Sequence, residues 1–149
     1  MYSDGWRYLE AAPAGNEFSY KVWGGYGTTV GGTGTAIGTG KSNTEKIVAK
    51  FGNAEPYEYK SDYAAKVCAD LEIIKDDVVY DDWFLPSKDE LDLMYENLHR
   101  QELGGFSVYS YWSSSENYAT SAWSQHFAIG NQNDFIRNFD FRVRPVRAF

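Results

Sequence analysis

Three stretches of the chain carry residue types able to do chemistry. The run GTAIGTGKS over 34–42 ends in Gly40-Lys41-Ser42, the close of a phosphate-binding loop whose backbone N–H groups would cradle an anion. That loop needs a glycine where Thr35 stands; Gly34 is one residue too early, and no apolar parallel strand leads into it. Nucleotide binding is therefore set aside. Asp76, Asp77, Asp81 and Asp82 offer oxygen ligands for a hard cation. They lack the spacing, glycine and terminal glutamate of a calcium loop, so they read as a solvated acidic loop. Ser113-Ser114-Ser115, with His99 or His126, suggests acyl transfer. A nucleophile needs an exposed elbow and an oriented base, and neither is visible. With no paired metal ligands, nucleophile or cofactor fingerprint, the chain reads as a non-enzyme without catalytic residues, metal or cofactor.

The elements that must position these residues follow from periodicity and capping. Gly5–Ala12 has the size of a strand and is closed by Pro13. Residues 16–30 read as irregular strand and loop. Ser42-Asn43-Thr44-Glu45 is a capping box, predicting a helix over 43–51 that closes at Gly52. Tyr63, Ala64, Val67, Cys68 and Leu71 predict a second helix over roughly 61–72, with Cys68 buried and inert on its apolar face. An acidic loop, Lys75–Asp82, leads to a second capping box, Ser87-Lys88-Asp89-Glu90. The helix after it buries Leu91, Leu93, Met94 and Leu98. From Gly104 onward the helical period gives way to strands joined by polar loops. The class is α+β, with short helices packed on a looped antiparallel sheet in one domain, 1–149.

Composition narrows the partners. Across 149 residues, 43% are hydrophobic and 23% charged, which fits a folded soluble domain. The net charge of −7 argues against nucleic acid and anionic membranes. No apolar run is long enough to insert into a bilayer, and the N-terminal residues lack a signal-peptide pattern. A single cysteine forbids an intrachain disulfide. Aromatic residues reach 17%, many of them tyrosines, which suit half-wet binding positions as well as cross-strand pairs. Residues 1–110 hold 18 acidic and 10 basic side chains, net −8. Residues 111–149 hold three acids and four arginines, net +1, and no lysine.

Four motifs together carry a resemblance: GWRYLEAAP over 5–13, DWFLPSKDEL over 82–91, YWSSSE over 111–116, and RVRPVRAF over 142–149. In this order they resemble bacterial and phage domains of C-type lectin-like fold, in the branch of the formylglycine-generating enzyme. The ending is similar to the variable proteins of diversity-generating retroelements, in which Asn codons of a C-terminal segment, here 111–149, are randomised. Randomising the first two bases of such a codon excludes Lys, Glu, Gln, Met and Trp. Between Asn117 and Phe141 only Trp123, Gln125 and Gln132 belong to the excluded types. The enzymatic branch works through a cysteine pair, which Cys68 alone does not supply.

The resemblance implies a C-type lectin-like fold with paired N- and C-terminal strands, the Gly5–Ala12 strand lying beside Val143–Phe149. It implies a framework of Trp112, Trp123, Phe127, Gly130 and the Arg-Val-Arg-Pro segment, with both tryptophans buried and the three serines bonded to backbone. The ligand-facing set is then Tyr118, Ala119, Thr120, Ser121, Ser124, His126, Ala128, Asn131, Asn133, Asp134, Phe135, Ile136, Asn138, Phe139, Asp140 and Phe141. Rigid aromatics mixed with small polar groups suit a paratope. Phe135, Phe139 and Phe141 equally fit alternating core burial in a last strand, and for Phe141 the two readings balance. The implied partner is a macromolecular ligand, protein or glycan, met by a monomer at a cell surface or virion. An invariant structural module and a catalytic relative of the formylglycine-generating branch are the alternatives.

Overall fold

Proline and glycine divide the chain into short elements, and arginines and buried carboxylates join them. The computed structural model describes residues 5, 8–53 and 61–149, so Trp6 and Arg7 of the predicted first strand lie outside the described residues. Strand β1 (Leu9–Ala11) ends before Pro13; β2 is Phe18–Lys21. Helices α1 (Gly40–Phe51) and α2 (Ala64–Ala69) follow, then strands β3 (Ile73–Lys75) and β4 (Val78–Tyr80) and helix α3 (Lys88–Asn97). The last third is β5 (Ser110–Tyr118), β6 (Ser121–His126), β7 (Gln132–Ile136), β8 (Phe141–Val143) and β9 (Val146–Ala148). Five strands form one sheet in the order β2-β8-β5-β6-β7, antiparallel except for β5 against β8. The protein is thus a mixed α+β structure dominated by strands.

The chain ends meet. Leu9 pairs with Ala148 and Ala11 with Val146, and the Tyr8 and Phe149 backbones exchange two hydrogen bonds of 2.9 and 3.0 Å. The C-terminal run is two strands rather than one, because Pro145 has no N–H to continue a ladder. Before it β8 joins the large sheet; after it β9 joins β1 and the Phe84 backbone.

Only one of the two predicted capping boxes forms. At α3, Ser87 accepts from the Glu90 N–H while the Glu90 carboxylate accepts from the Ser87 N–H. At α1 the helix begins at Gly40, two residues before Ser42, and its Thr39 cap makes no side-chain capping bond; the Thr39 hydroxyl donates to the Ala36 carbonyl instead. The same Glu90 explains this: its second oxygen accepts from Gly38 N–H at 2.8 Å and Gly40 N–H at 3.2 Å. One buried carboxylate therefore caps two helices, filling the anion position that GTGKS would otherwise offer. Asn43 and Thr44, read from sequence as capping-box residues, are buried; Asn43 bonds Gly34 and Thr44 bonds Leu85.

The predicted helix over 61–72 shrinks to one and a half turns at α2, and the predicted acidic loop is a hairpin. Asp76 (φ 52°) and Asp77 (φ 62°) both take the left-handed conformation that a two-residue hairpin turn requires. Cys68 is buried, which pushes its thiol well above the usual value. Two apolar clusters fill the interior. One gathers Trp23, Ile47, Phe51, Tyr63, Leu85 and Trp112; the other gathers Phe84, Leu91, Met94, Tyr111 and Phe127.

Trp112 is fully buried, whereas Trp123 is only half-buried, contrary to its expected core position. It lies on the opposite sheet face from Trp112, with the Lys88 ammonium 4.1 Å from its ring centre. Trp112→Ala should cost about 3–5 kcal/mol, a buried aromatic lost, and Trp123→Ala clearly less, as read from denaturant midpoints. The shared carboxylate gives a second expectation. Burial raises the Glu90 carboxyl above the ordinary 4.5, outweighing the lowering from its backbone N–H partners. A raised carboxyl contributes stability fully present below pH 4.5 and lost as pH rises through the folded-state value. Glu90→Gln should cost about 1–3 kcal/mol, since its amide turns a donor toward N–H groups. The gap to the parent in melting temperature should be widest at acid pH and narrow above pH 4.5.

Candidate functional site: the outer end of the large sheet

Strands β6 and β7, with the turns around them, carry most of the residues expected to face a ligand. Antiparallel pairing puts opposed residues on one face: Trp112 with Ser124 and Asn133, and Ala122 with Phe135. Phe135 meets Phe139 at 4.8 Å and Phe141 at 5.1 Å between ring centres, and Phe141 stacks on Trp112 at 4.6 Å. An aromatic chain thus runs from the core to the surface. Phe141 is its half-buried middle link, while Phe135 and Phe139 stay 38% and 47% exposed. Phe141 is thus neither wholly core nor wholly surface.

Beside this chain opens a cleft of about 340 Å³, lined among others by Tyr20, Tyr109, His126, Asp140, Phe141 and Arg142. Tyr20 and Tyr109 are additions to the set that the sequence implies. Tyr20 is a non-glycine residue at φ 58°, released by a register shift between β2 and β8, and is 79% exposed. A strained, outward-turned tyrosine at a cleft mouth is a recurrent mark of a binding position. Tyr109 is also open, and the Arg142 guanidinium lies 5.5 Å from its ring centre. His126 is half-buried, its Nδ1 accepting the Ala128 N–H at 3.3 Å. Positive φ at an exposed residue leaves no trace in composition, which is why the sequence conceals Tyr20.

Of the sixteen residues in the set, eleven are exposed. Ala119, His126 and Phe141 are half-buried. Ser121 and Ser124 are corrections: both are buried, Ser124 Oγ donates to the Asn133 carbonyl at 3.1 Å, and Ser121 Oγ donates to Asp134 at 3.4 Å. They lie on β6 and bond residues of β7, so they serve the strand pairing. Ile129, outside the set, is 70% exposed at the β6–β7 turn.

Below the surface the framework is polar and fully paired. Ser113 Oγ donates to the Trp123 carbonyl at 2.7 Å and Ser115 Oγ to the Gly34 carbonyl at 2.8 Å, while Ser114 Oγ accepts from the Asn43 amide. The serine run is thus a scaffold rather than a nucleophile's elbow. Arg137, inside 117–141, is fully buried. It donates to the carboxylate of Glu116 at 2.5 Å and to the carbonyls of Thr28 and Tyr118, and stacks on Trp23. Glu116 also accepts the Val30 and Gly31 N–H groups, fixing the glycine-rich loop to the sheet. Burial pulls the Arg137 guanidinium below its ordinary value, against the lift from Glu116. Among the described residues no cluster of His, Cys, Asp and Glu has metal-site geometry. Compared with known proteins, the chain matches no family model and no curated sequence.

Breaking the buried pair should be severe. Arg137→Met leaves the Glu116 carboxylate uncompensated and should cost about 3–5 kcal/mol in urea unfolding. Adding Glu116→Gln in the same chain should return part of that loss, because the stranded charge is then gone.

Proposed function

We propose that the protein is a non-enzymatic display domain of C-type lectin-like fold, similar to the variable proteins of diversity-generating retroelements. It presents residues of 117–141 to a macromolecular ligand, as a monomer at a cell surface or virion. The observation that carries this reading is how exposure divides the segment. Trp123, Gln125 and Gln132, the residues an Asn codon cannot become, all have structural duties. Trp123 lies under Lys88, Gln125 is buried and donates to Asp92, and Gln132 donates to the Lys88 carbonyl. The residues that remain free to vary are mostly exposed and make few contacts with the core. Paired chain ends and a loop-rich sheet agree with the lectin-like scaffold.

The test separates folding from binding. A six-fold variant carrying other Asn-derived residues at Tyr118, His126, Asn131, Asn133, Phe135 and Asn138 should fold as the parent does, since five of the six are exposed and His126 is half-buried, and exposed substitutions usually change stability by only ~0.5 kcal/mol or less each. It should lose the parent's ligand, because removing an aromatic anchor costs ~2 kcal/mol or more of binding. Failure to fold would assign these side chains to the core. Sequences of sister loci give an independent reading: uniform residues over 117–141 would remove the display hypothesis.

A further inference from the structure

The geometry points to strand addition on β7: the protein binds an extended segment of a protein ligand, whose backbone pairs with the open edge of the large sheet. This deepens the display reading and rests on the same face of the molecule, but it uses main chain where that reading uses side chains. Strand β7 ends the order β2-β8-β5-β6-β7, and among the described residues nothing pairs with its outer side. Its bonds to β6 alternate. The His126 N–H donates to Asn131 at 3.0 Å and the Arg137 N–H to Thr120 at 3.1 Å, in register with Asn133 and Phe135 facing inward. Gln132, Asp134 and Ile136 therefore turn their backbone groups outward. The Ile136 carbonyl accepts from Phe139 N–H; the other outward donors and acceptors have no partner among the described residues.

Natural sheets blunt such edges with lysine, proline or a bulge. The β7 sequence Gln-Asn-Asp-Phe-Ile has neither lysine nor proline, its pairing with β6 runs without a register shift, and its one charge is Asp134. The occupant's chemistry follows from the side chains along the edge. The Asp134 carboxylate is held only by the neutral Asn117 amide and Ser121 hydroxyl, so its charge has no cationic partner among the described residues. Phe135 and Phe139 offer rings on the other face. The segment that fits places a basic residue beside Asp134 and an apolar residue next to it, beside Phe135. A second copy of this chain fits poorly: β7 paired antiparallel with itself about its centre opposes Asp134 to Asp134, in molecules each carrying −7. Main-chain pairing also suits a surface whose side chains change, since edge amides persist through substitution.

The probe is a displayed library of random linear peptides selected on the intact protein. Selected peptides should carry adjacent basic and apolar residues. On binding they should slow hydrogen exchange at the amides of Gln132, Asp134 and Ile136, leaving Asn133 and Phe135 unchanged. Asp134→Pro removes one outward donor at an edge where proline is tolerated, and should weaken binding by about tenfold or more relative to Asp134→Ala, which keeps the N–H. Should the proline variant not fold, the exchange pattern of the parent decides alone. Equal binding by the two variants, protection at other amides, recovery of no peptide, or self-association protecting the same amides without peptide would each overturn strand addition. The six-fold variant keeps the two readings apart. If it retains the peptides while Asp134→Pro loses them, side-chain display falls and strand addition stands. If it loses them while Asp134→Pro binds as Asp134→Ala does, strand addition falls and side-chain display stands.

Discussion

The Arg137 guanidinium is fully buried, and its donors spread over Glu116 and the carbonyls of Gly25, Thr28, Tyr118 and Ser121. The long connection from Val22 to Thr39 contains no strand or helix of its own. Its backbone groups still need partners wherever water is excluded. Arg137 and Glu116 supply many of them from the sheet, and the Trp23 N–H donates to the Arg137 carbonyl at 3.0 Å. An isolated buried ion pair is at best a modest source of stability. Here each ion also bonds backbone, so what the pair secures is the placement of an irregular loop.

Glu90 plays the corresponding part for the helices. A carboxylate between two helix N-termini meets both positive dipole ends and satisfies N–H groups that neither helix can satisfy internally. It fixes α1 and α3 relative to each other through hydrogen bonds of defined direction, which apolar packing alone does not give. The burial that makes this link specific is also what raises the carboxyl.

Much of this architecture is legible in the residues, because local signals and tertiary structure agree. Ser87 with Glu90 forms the box its spacing announces, Gly52 closes α1 at φ 65°, and Cys68 lies on an apolar face. The departures share a physical cause. At Ser42 a sound local cap loses to a carboxylate fifty residues away from Gly40, which no window of sequence contains. At Asp76-Asp77 two acidic residues look like solvated loop, although aspartate tolerates the left-handed turn that joins β3 to β4. Trp123 looks like core by type, but it is half-buried on the sheet face that α3 meets, with the Lys88 ammonium over its ring. In the candidate site, the period of two gives Phe135 and Arg137 the same parity, yet Phe135 is exposed and Arg137 buried, because the depth of each residue depends on which neighbours cover the sheet.

The arginine-only C-terminal segment has a reason in the chemistry of the acceptors it meets. Irregular loops present carbonyl oxygens in several directions, and a guanidinium, with five donors in a rigid plane, can satisfy several at once where an ammonium acts as a compact point charge. Arg144 donates to the carbonyls of Ala12, Gly104 and Gly105 and to Glu17, as Arg137 does around the other loop. Those carbonyls are backbone atoms, so the bonds survive when the residue offering the carbonyl changes its side chain. Tyr118 is such a residue: its carbonyl holds Arg137 at 2.6 Å while its ring stands 68% exposed. Anchoring that is blind to side-chain identity lets a position belong to the framework through its backbone while its side chain stays exposed.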